Sequence, residues 1–242
     1  PVTMSELLTA PLFHIVRSLA LFLDTRRRAL ANPHADGAED AAPTPVSAVI
    51  RNDTIASAVE FGQQLCLSCL HHVADAVYQT QGGDNNAVTK HFDVDVVVKS
   101  IQDVESPQAR NAALLLLTSL TALRPVDVLK KLMPLFQFMG TTTLGRDDRY
   151  TFVVVNKIIE AVVPPLRVYG PSVGLKLHDL LKVFVESVDT IPVHRRLPLF
   201  TSLTTTLGTR GTSDGHKGRY LSAAVALLVT HVVQVSPDAA LK

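Results

Sequence analysis

At 242 residues the chain is long enough to bury a sizeable core, and a formal net charge of +1 gives it no global field to draw in nucleic acid. Apolar residues make up 47% of the sequence while aromatics make up 5% and Trp is absent, so the apolar mass is Leu, Val and Ala, the material of packed helices. Two cysteines exclude a disulfide framework, and no basic stretch ahead of an apolar one marks a secretory leader.

In chain order, residues 5–31 read as a helix, with Leu8, Leu12, Ile15, Leu19 and Phe22 at three- and four-residue spacings. The cluster Arg26-Arg27-Arg28 closes it, where cations suit the negative end of the helix dipole. Residues 32–45 are rich in Ala, Asp, Pro and Gly without periodicity and read as a flexible loop. Residues 46–81 are helical again, as one long helix or a broken pair, and 81–86 (QGGDNN) punctuate the chain.

From Phe92 the helices are expected in pairs. Residues 93–104 are short and Val-rich. Ser106-Pro107 has the form of an N-cap followed by proline at the first helical position, opening a helix to about 123 that Arg124-Pro125 stops. Residues 126–139 follow, closed by Gly140. Asp147 or Asp148 caps a helix to about 163, ended by Pro164-Pro165. Residues 172–187 come after Gly170-Pro171, and 192–207 are closed by Gly208. A loop at 209–217 precedes a last helix at 217–235. The valine runs 96–98 and 153–155 have β-like composition, but their flanks keep helical spacing. The longest apolar-rich runs, 112–123 and 221–235, fall short of the ~20 residues a bilayer requires. They read as buried helices, and no membrane partner is expected.

The second helices of successive pairs begin near Ser106, Asp148 and Pro192, a period of roughly 40–45 residues that falls in the HEAT/armadillo range. The expected fold is therefore all-α: a HEAT-like α-solenoid of stacked antiparallel helix pairs, continuous over residues 1–242 and best defined over 92–208. Asp103 followed by Ser106-Pro107-Gln108-Ala109-Arg110 has the wording of a HEAT turn, and Pro134 sits where the first helix of such a unit carries its bend.

Residues able to carry chemistry are few. Cys66-x-x-Cys69 with His71 and His72 invites a zinc or redox reading. Zinc needs four ligands held in a tetrahedron and a redox motif needs a βαβ setting, so both cysteines are expected as small core residues. No HExxH, GxSxG or phosphate loop occurs; Gly140-Thr141-Thr142-Thr143-Leu144-Gly145 lacks the Lys and Ser/Thr ending. No catalytic residue, metal, cofactor or small-molecule substrate is expected. Three basic clusters remain: Arg26-Arg27-Arg28, His194-Arg195-Arg196, and Arg210 to Arg219 with Lys217. Arg195, Arg196, Arg210, Lys217 and Arg219 are the candidate contacts to RNA or an acidic partner, because guanidinium forks fit phosphate oxygens. No aromatic platform accompanies any of these clusters, which argues against single-strand base stacking.

Residues 132–166 read LMPLFQFMGTTTLGRDDRYTFVVVNKIIEAVVPPL, and 191–208 read IPVHRRLPLFTSLTTTLG. Together these resemble the long HEAT-repeat scaffold protein of the UtpA subcomplex of the small-subunit processome, the small nucleolar RNA-associated family whose animal member is a HEAT-repeat-containing protein. The likeness covers about residues 93–208. It implies an internal segment of a longer, non-enzymatic scaffold in the nucleolus that supports early pre-rRNA processing and small-subunit assembly. The partners it implies are other UtpA proteins and processome subunits and, more weakly, the 5′ external spacer of pre-rRNA or small nucleolar RNA. Solenoid shape alone also fits a HEAT-type protein-binding adaptor in transport or signalling.

Overall fold

The computed structural model describes residues 4–31, 46–81, 89–142, 149–209, 222–223 and 225–230. All regular structure among these residues is helical, the all-α, HEAT-like class expected from the periodicity. The chain divides into two compact units, Pro1–Leu116 and Leu117–Lys242, with the boundary inside one helix.

The first unit is built on α1 (Met4–Ala31), α2 (Val46–Gln81) and α3 (Val94–Asp103), with the opening turns of α4 (Pro107–Leu123). Residues 46–81 form one unbroken helix rather than a pair. Its buried stripe is Gln63, Leu67, Leu70, Ala74 and Val77, at helical three- and four-residue spacing. From α1, Thr9, Phe13 and Val16 are buried, and the Phe13 ring meets Phe92 edge to face at 6.1 Å. Asp93 has two roles. Its Oδ1 accepts from the Val96 N–H at 3.2 Å as the N-cap of α3, and its Oδ2 pairs with Arg17 of α1. Further along the same two helices, Arg27 Nη2 donates to the Asp103 carbonyl at 2.7 Å and its Nε lies 3.4 Å from Glu105. Arg17 and Arg27 thus hold α1 against both ends of α3, which makes the two helices run in the same direction.

One segment of α1, Leu7–Arg28, is long and apolar enough by composition to cross a membrane. This corrects the sequence expectation, which rested on unbroken apolar runs. His14, Arg17 and Asp24 interrupt the segment without lowering its average far enough. In the structure Arg17 pairs with Asp93 and Asp24 with Arg28, at 2.7 Å, while Phe13 and Val16 lie in the core. Leu7, Leu8, Ile15, Leu21 and Phe22 stay exposed.

Ser106 opens α4 as expected, its Oγ accepting from the Ala109 N–H at 3.4 Å with Pro107 first in the helix. Few positions of α4 reach solvent: Ala109, Ala113, Leu114, Leu116, Leu117 and Leu120 are fully buried.

The second unit continues with α5 (Pro125–Thr142), α6 (Arg149–Tyr169), a 3₁₀ turn at Gly170–Val173, α7 (Leu177–Glu186), a second 3₁₀ turn at Val188–Thr190 and α8 (Val193–Thr209). Of the helix expected at 217–235, residues 222–223 and 225–230 are described and helical. The core centres on Val154, Val155, Ile158, Ile159, Val162 and Val163 of α6. Phe136 of α5 meets Phe184 of α7 with ring centroids 5.2 Å apart.

Four expected boundaries move. Gly140 does not end α5, which runs to Thr142; a Cβ at Gly140 would collide with the Ser187 hydroxyl and lie 3.1 Å from the Ser187 Cβ, so this glycine serves close approach rather than termination. Pro164-Pro165 do not end α6, which continues to Tyr169. Proline's φ is already helical, and burial of Val162, Val163 and Leu166 around the pair outweighs the two missing N–H donors. The helix expected at 172–187 is divided: Gly174 takes φ 73°, and α7 starts only at Leu177, where Asp179 Oδ2 accepts from the Lys176 N–H at 2.9 Å. Gly208 lies within α8, which ends at Thr209. The Asp147 and Asp148 caps, the loop at 32–45 and residues 210–217 of the expected 209–217 loop lie outside the described residues.

Candidate contact surface

The basic residues singled out in the sequence differ in how far their charge is committed. In the first cluster, Arg28 pairs with Asp24 and Arg27 is held by the Asp103 carbonyl and Glu105. With Leu23, Arg26, Ala56, Ser57 and Glu60, the residues Arg27 and Glu105 line an open groove of about 400 Å³ in the first unit. Its two arginines and two glutamates leave it near neutrality, so it does not select for an anion.

The second cluster opens α8. Its N-terminal turn is set by Pro192, whose carbonyl accepts from the Arg195 N–H at 2.8 Å. Arg195 lies over the ring of Phe152 in α6, its Cζ 5.2 Å from the ring centroid. Arg196 points elsewhere: it is half-buried, and its Nε donates to the Ile191 carbonyl at 2.9 Å. The two neighbours are therefore not one patch, since Arg195 lies over Phe152 of α6 and Arg196 closes the turn between the Val188–Thr190 segment and α8. The remaining candidates, Arg210, Lys217 and Arg219, lie outside the described residues.

Arg110 explains the geometry at Arg196. It is buried, and its guanidinium donates from Nε to the Ile101 carbonyl at 3.1 Å and from Nη2 to the Val104 carbonyl. Both arginines sit in the first turn of a helix and bind carbonyls of the turn just passed. Each lies seven positions after an aspartate, Asp103 and Asp189. A guanidinium can do this because it offers several donors in a fixed plane and stays charged when half-buried.

Sequence reasoning missed the aromatic beside Arg195, because Phe152 belongs to a helix far earlier in the chain. It also missed the residues around that contact. Arg149, Tyr150 and Val153 of α6 and Val193, His194 and Leu197 of α8 are all exposed. The signal available was the repeat period: positions 150–153 and 193–196 open successive second helices and are set side by side by the repeat.

The cysteines are not both core residues as expected. Cys66 is half-buried and Cys69 exposed, because Leu67 and Leu70 take the buried stripe of α2 and the cysteines fall to its flank. Burial, and then the neighbouring Cys69, push the Cys66 thiol pKa up. His71 pairs with Asp75 one turn on, at 3.6 Å, a contact along the helix surface. Among the described residues no three His, Cys, Asp or Glu side chains gather in a metal-binding cluster.

Paired helices, arginines that clamp the inter-helix turns and a repeat of second helices define an α-helical repeat protein of the HEAT class. Residues 175–235 match the family described as HEATR1-like, HEAT repeats. HEAT repeat-containing protein 1 of Danio rerio is 34% identical over 192 residues, covering 75% of this chain and 8% of that protein. The Homo sapiens protein of the same name is 33% identical over 160 residues, 62% of this chain and 8% of its own length. U3 small nucleolar RNA-associated protein 10 of Aspergillus clavatus is 42% identical over 120 residues, 48% of this chain and 7% of its own length. The chain is a HEAT-repeat chain related to both groups and spans less than a tenth of these relatives.

Proposed function

We propose that the chain is a segment of a non-catalytic scaffold of the nucleolar small-subunit processome, within its UtpA subcomplex, supporting early pre-rRNA processing and small-subunit assembly through its contacts with other subunits. The observation that carries this reading is the 42% identity to a protein named as U3 small nucleolar RNA-associated, over nearly half the chain. Repeat architecture adds physical support. Stacked helix pairs present long side-chain surfaces on rigid elements, which suits holding partners in place. Arg195, and with it Arg210, Lys217 and Arg219, offers contacts to anionic groups, with RNA the weaker class of partner because the net charge of +1 leaves little electrostatic drive. Conditional depletion of the full-length parent protein tests the reading. Early pre-rRNA cleavages should stall and the tagged parent should concentrate in nucleoli. Unchanged small-subunit rRNA levels, or a tagged parent confined to the cytoplasm or nuclear envelope, would overturn it.

A further inference from the structure

The opening turns of α6 and α8 together carry exposed apolar side chains. Leu197 is 77% exposed, Val193 76%, Tyr150 56% and Val153 44%. These are high values for apolar side chains on rigid helices. Val193 and Leu197 stand one turn apart on α8, and Tyr150 and Val153 one turn apart on α6. The 5.2 Å contact of Arg195 with Phe152 fixes the two turns beside each other. Arg149, His194 and Arg195 border the apolar residues; 149–153 and 193–197 contain no acidic residue, and in the sequence Asp147 and Asp148 directly precede Arg149.

We infer that this surface takes a short acidic segment of a partner protein, with Leu- or Phe-type anchors seated on Leu197, Val193 and Tyr150 and carboxylates facing Arg149 and Arg195. The inference rests on the scaffold reading and gives one of its contacts a chemistry. Two features choose protein over RNA. RNA offers no aliphatic surface to cover Val193 and Leu197, whereas apolar side chains of a peptide remove them from water at roughly 25 cal/mol per Å². Tyr and Arg, both present here, are also enriched at the energetic centre of protein interfaces. The basic rim selects the sign of the partner, because a like-charged segment would be repelled while an acidic one is steered in. Arg195 arrives preorganised, since its guanidinium is already laid over Phe152 and loses little rotamer freedom on binding.

The test uses the whole 242-residue chain and three fluorescein-labelled probes read by anisotropy. One is an 18-residue peptide with Leu and Phe on one helical face and Glu on the other. The second replaces every Glu by Lys. The third is an 18-nucleotide oligouridine. The acidic peptide should bind, the basic one should not, and oligouridine should bind at least about tenfold more weakly than the acidic peptide. Leu197→Ser and Tyr150→Ala should each weaken acidic-peptide binding about tenfold, and Arg149→Ser should weaken it while flattening its salt dependence. Because all three residues are exposed, circular dichroism melts should match the wild type. Failure of the acidic peptide to bind, or equal binding by the Leu197→Ser, Tyr150→Ala double variant, overturns the inference, and so does preferential oligouridine binding through these residues. Co-sedimentation of the full-length parent with pre-ribosomal particles separates the two readings. If the parent sediments with particles while no peptide binds, only this inference falls. If the peptide binds but the parent is absent from particles, the scaffold reading falls.

Discussion

Arg110 Nε donates to the carbonyl of Ile101 at 3.1 Å, and the same guanidinium reaches the Val104 carbonyl. These oxygens close the end of α3, where no further helical N–H follows to satisfy them. One side chain from the next helix therefore satisfies the end of the previous one and fixes the turn between them. Arg110→Ala leaves both carbonyls without their buried donor and should cost about 3 kcal/mol. Arg110→Lys should recover only part of this, because an ammonium cannot reproduce the planar fork. Urea unfolding followed by circular dichroism measures both; a midpoint unmoved by Arg110→Ala would show that the turn holds without it.

Gly140 offers a prediction whose sign opposes helix propensity. Replacing a helical glycine by alanine ordinarily gains about 1 kcal/mol. Here the new Cβ would meet the Ser187 side chain, which is held by its own bond from Oγ to the Val183 carbonyl at 2.8 Å. Gly140→Ala should therefore destabilise, by about 1–3 kcal/mol as an overpacked contact. Adding Ser187→Gly should return much of the loss, and the double-mutant cycle should show strong coupling. Additive effects of the two changes would disprove the close-approach explanation.

The fold class was legible because amphipathic spacing and helix starts are local signals. Ser106-Pro107 announced α4, and Asp93 capped α3 where the Val-rich run began. Helix ends were read less well, because Gly and Pro act as stops only when packing allows. Gly140 and Pro164-Pro165 lie inside helices whose buried faces continue past them. The contact surface was half legible. Arg195 was visible as a charge, but its position over Phe152 and its separation from Arg196 depend on how repeats stack, which no single window of sequence contains.

Gln63 is fully buried in α2, and neither of its amide atoms has a partner among the described residues. An unpaired buried amide costs about 1–3 kcal/mol on the scale of protein substitutions. Gln63→Met keeps the length of the side chain and removes the polar atoms, so the thermal midpoint should rise. A fall in the midpoint would mean that a bound water satisfies the amide and is lost with it.

The two cysteines should separate by reactivity. Cys69 is exposed, whereas Cys66 is half-buried and its thiol pKa is raised from the ordinary 9.0. Since the thiolate is the nucleophile, iodoacetamide at neutral pH should label Cys69 first and Cys66 slowly, with the Cys66 rate still climbing above pH 9. The raised pKa also fixes a stability sign: folding favours the protonated Cys66 thiol, so its contribution is complete below the unfolded pKa and declines as pH rises through the folded one. Mass spectrometry of timed samples reads the order, and faster labelling of Cys66 would contradict the packing of α2.

Arg195 and Arg196 should behave differently although they are adjacent. Arg196 donates to the Ile191 carbonyl at 2.9 Å, and Ile191 itself is buried, so Arg196→Ala should lower stability by about 1–2 kcal/mol. Arg195 lies over Phe152, and loss of that cation–π contact should contribute ~0.5–1 kcal/mol to the cost of Arg195→Ser. In binding the order reverses. For an anionic probe such as oligouridine, Arg195→Ser should weaken affinity and reduce the salt slope by about 0.7 per lost phosphate contact, while folded Arg196→Ala should keep the slope. Changing Arg195, Arg196, Arg210, Lys217 and Arg219 together to Ser would mix unfolding with lost binding. Retaining Arg196 and changing the other four isolates the electrostatic share. That variant should melt close to the wild type and bind oligouridine more weakly with a flatter salt dependence. An unchanged affinity and slope would remove these residues as anion contacts, and an Arg196→Ala melt identical to wild type would remove Arg196 from the turn.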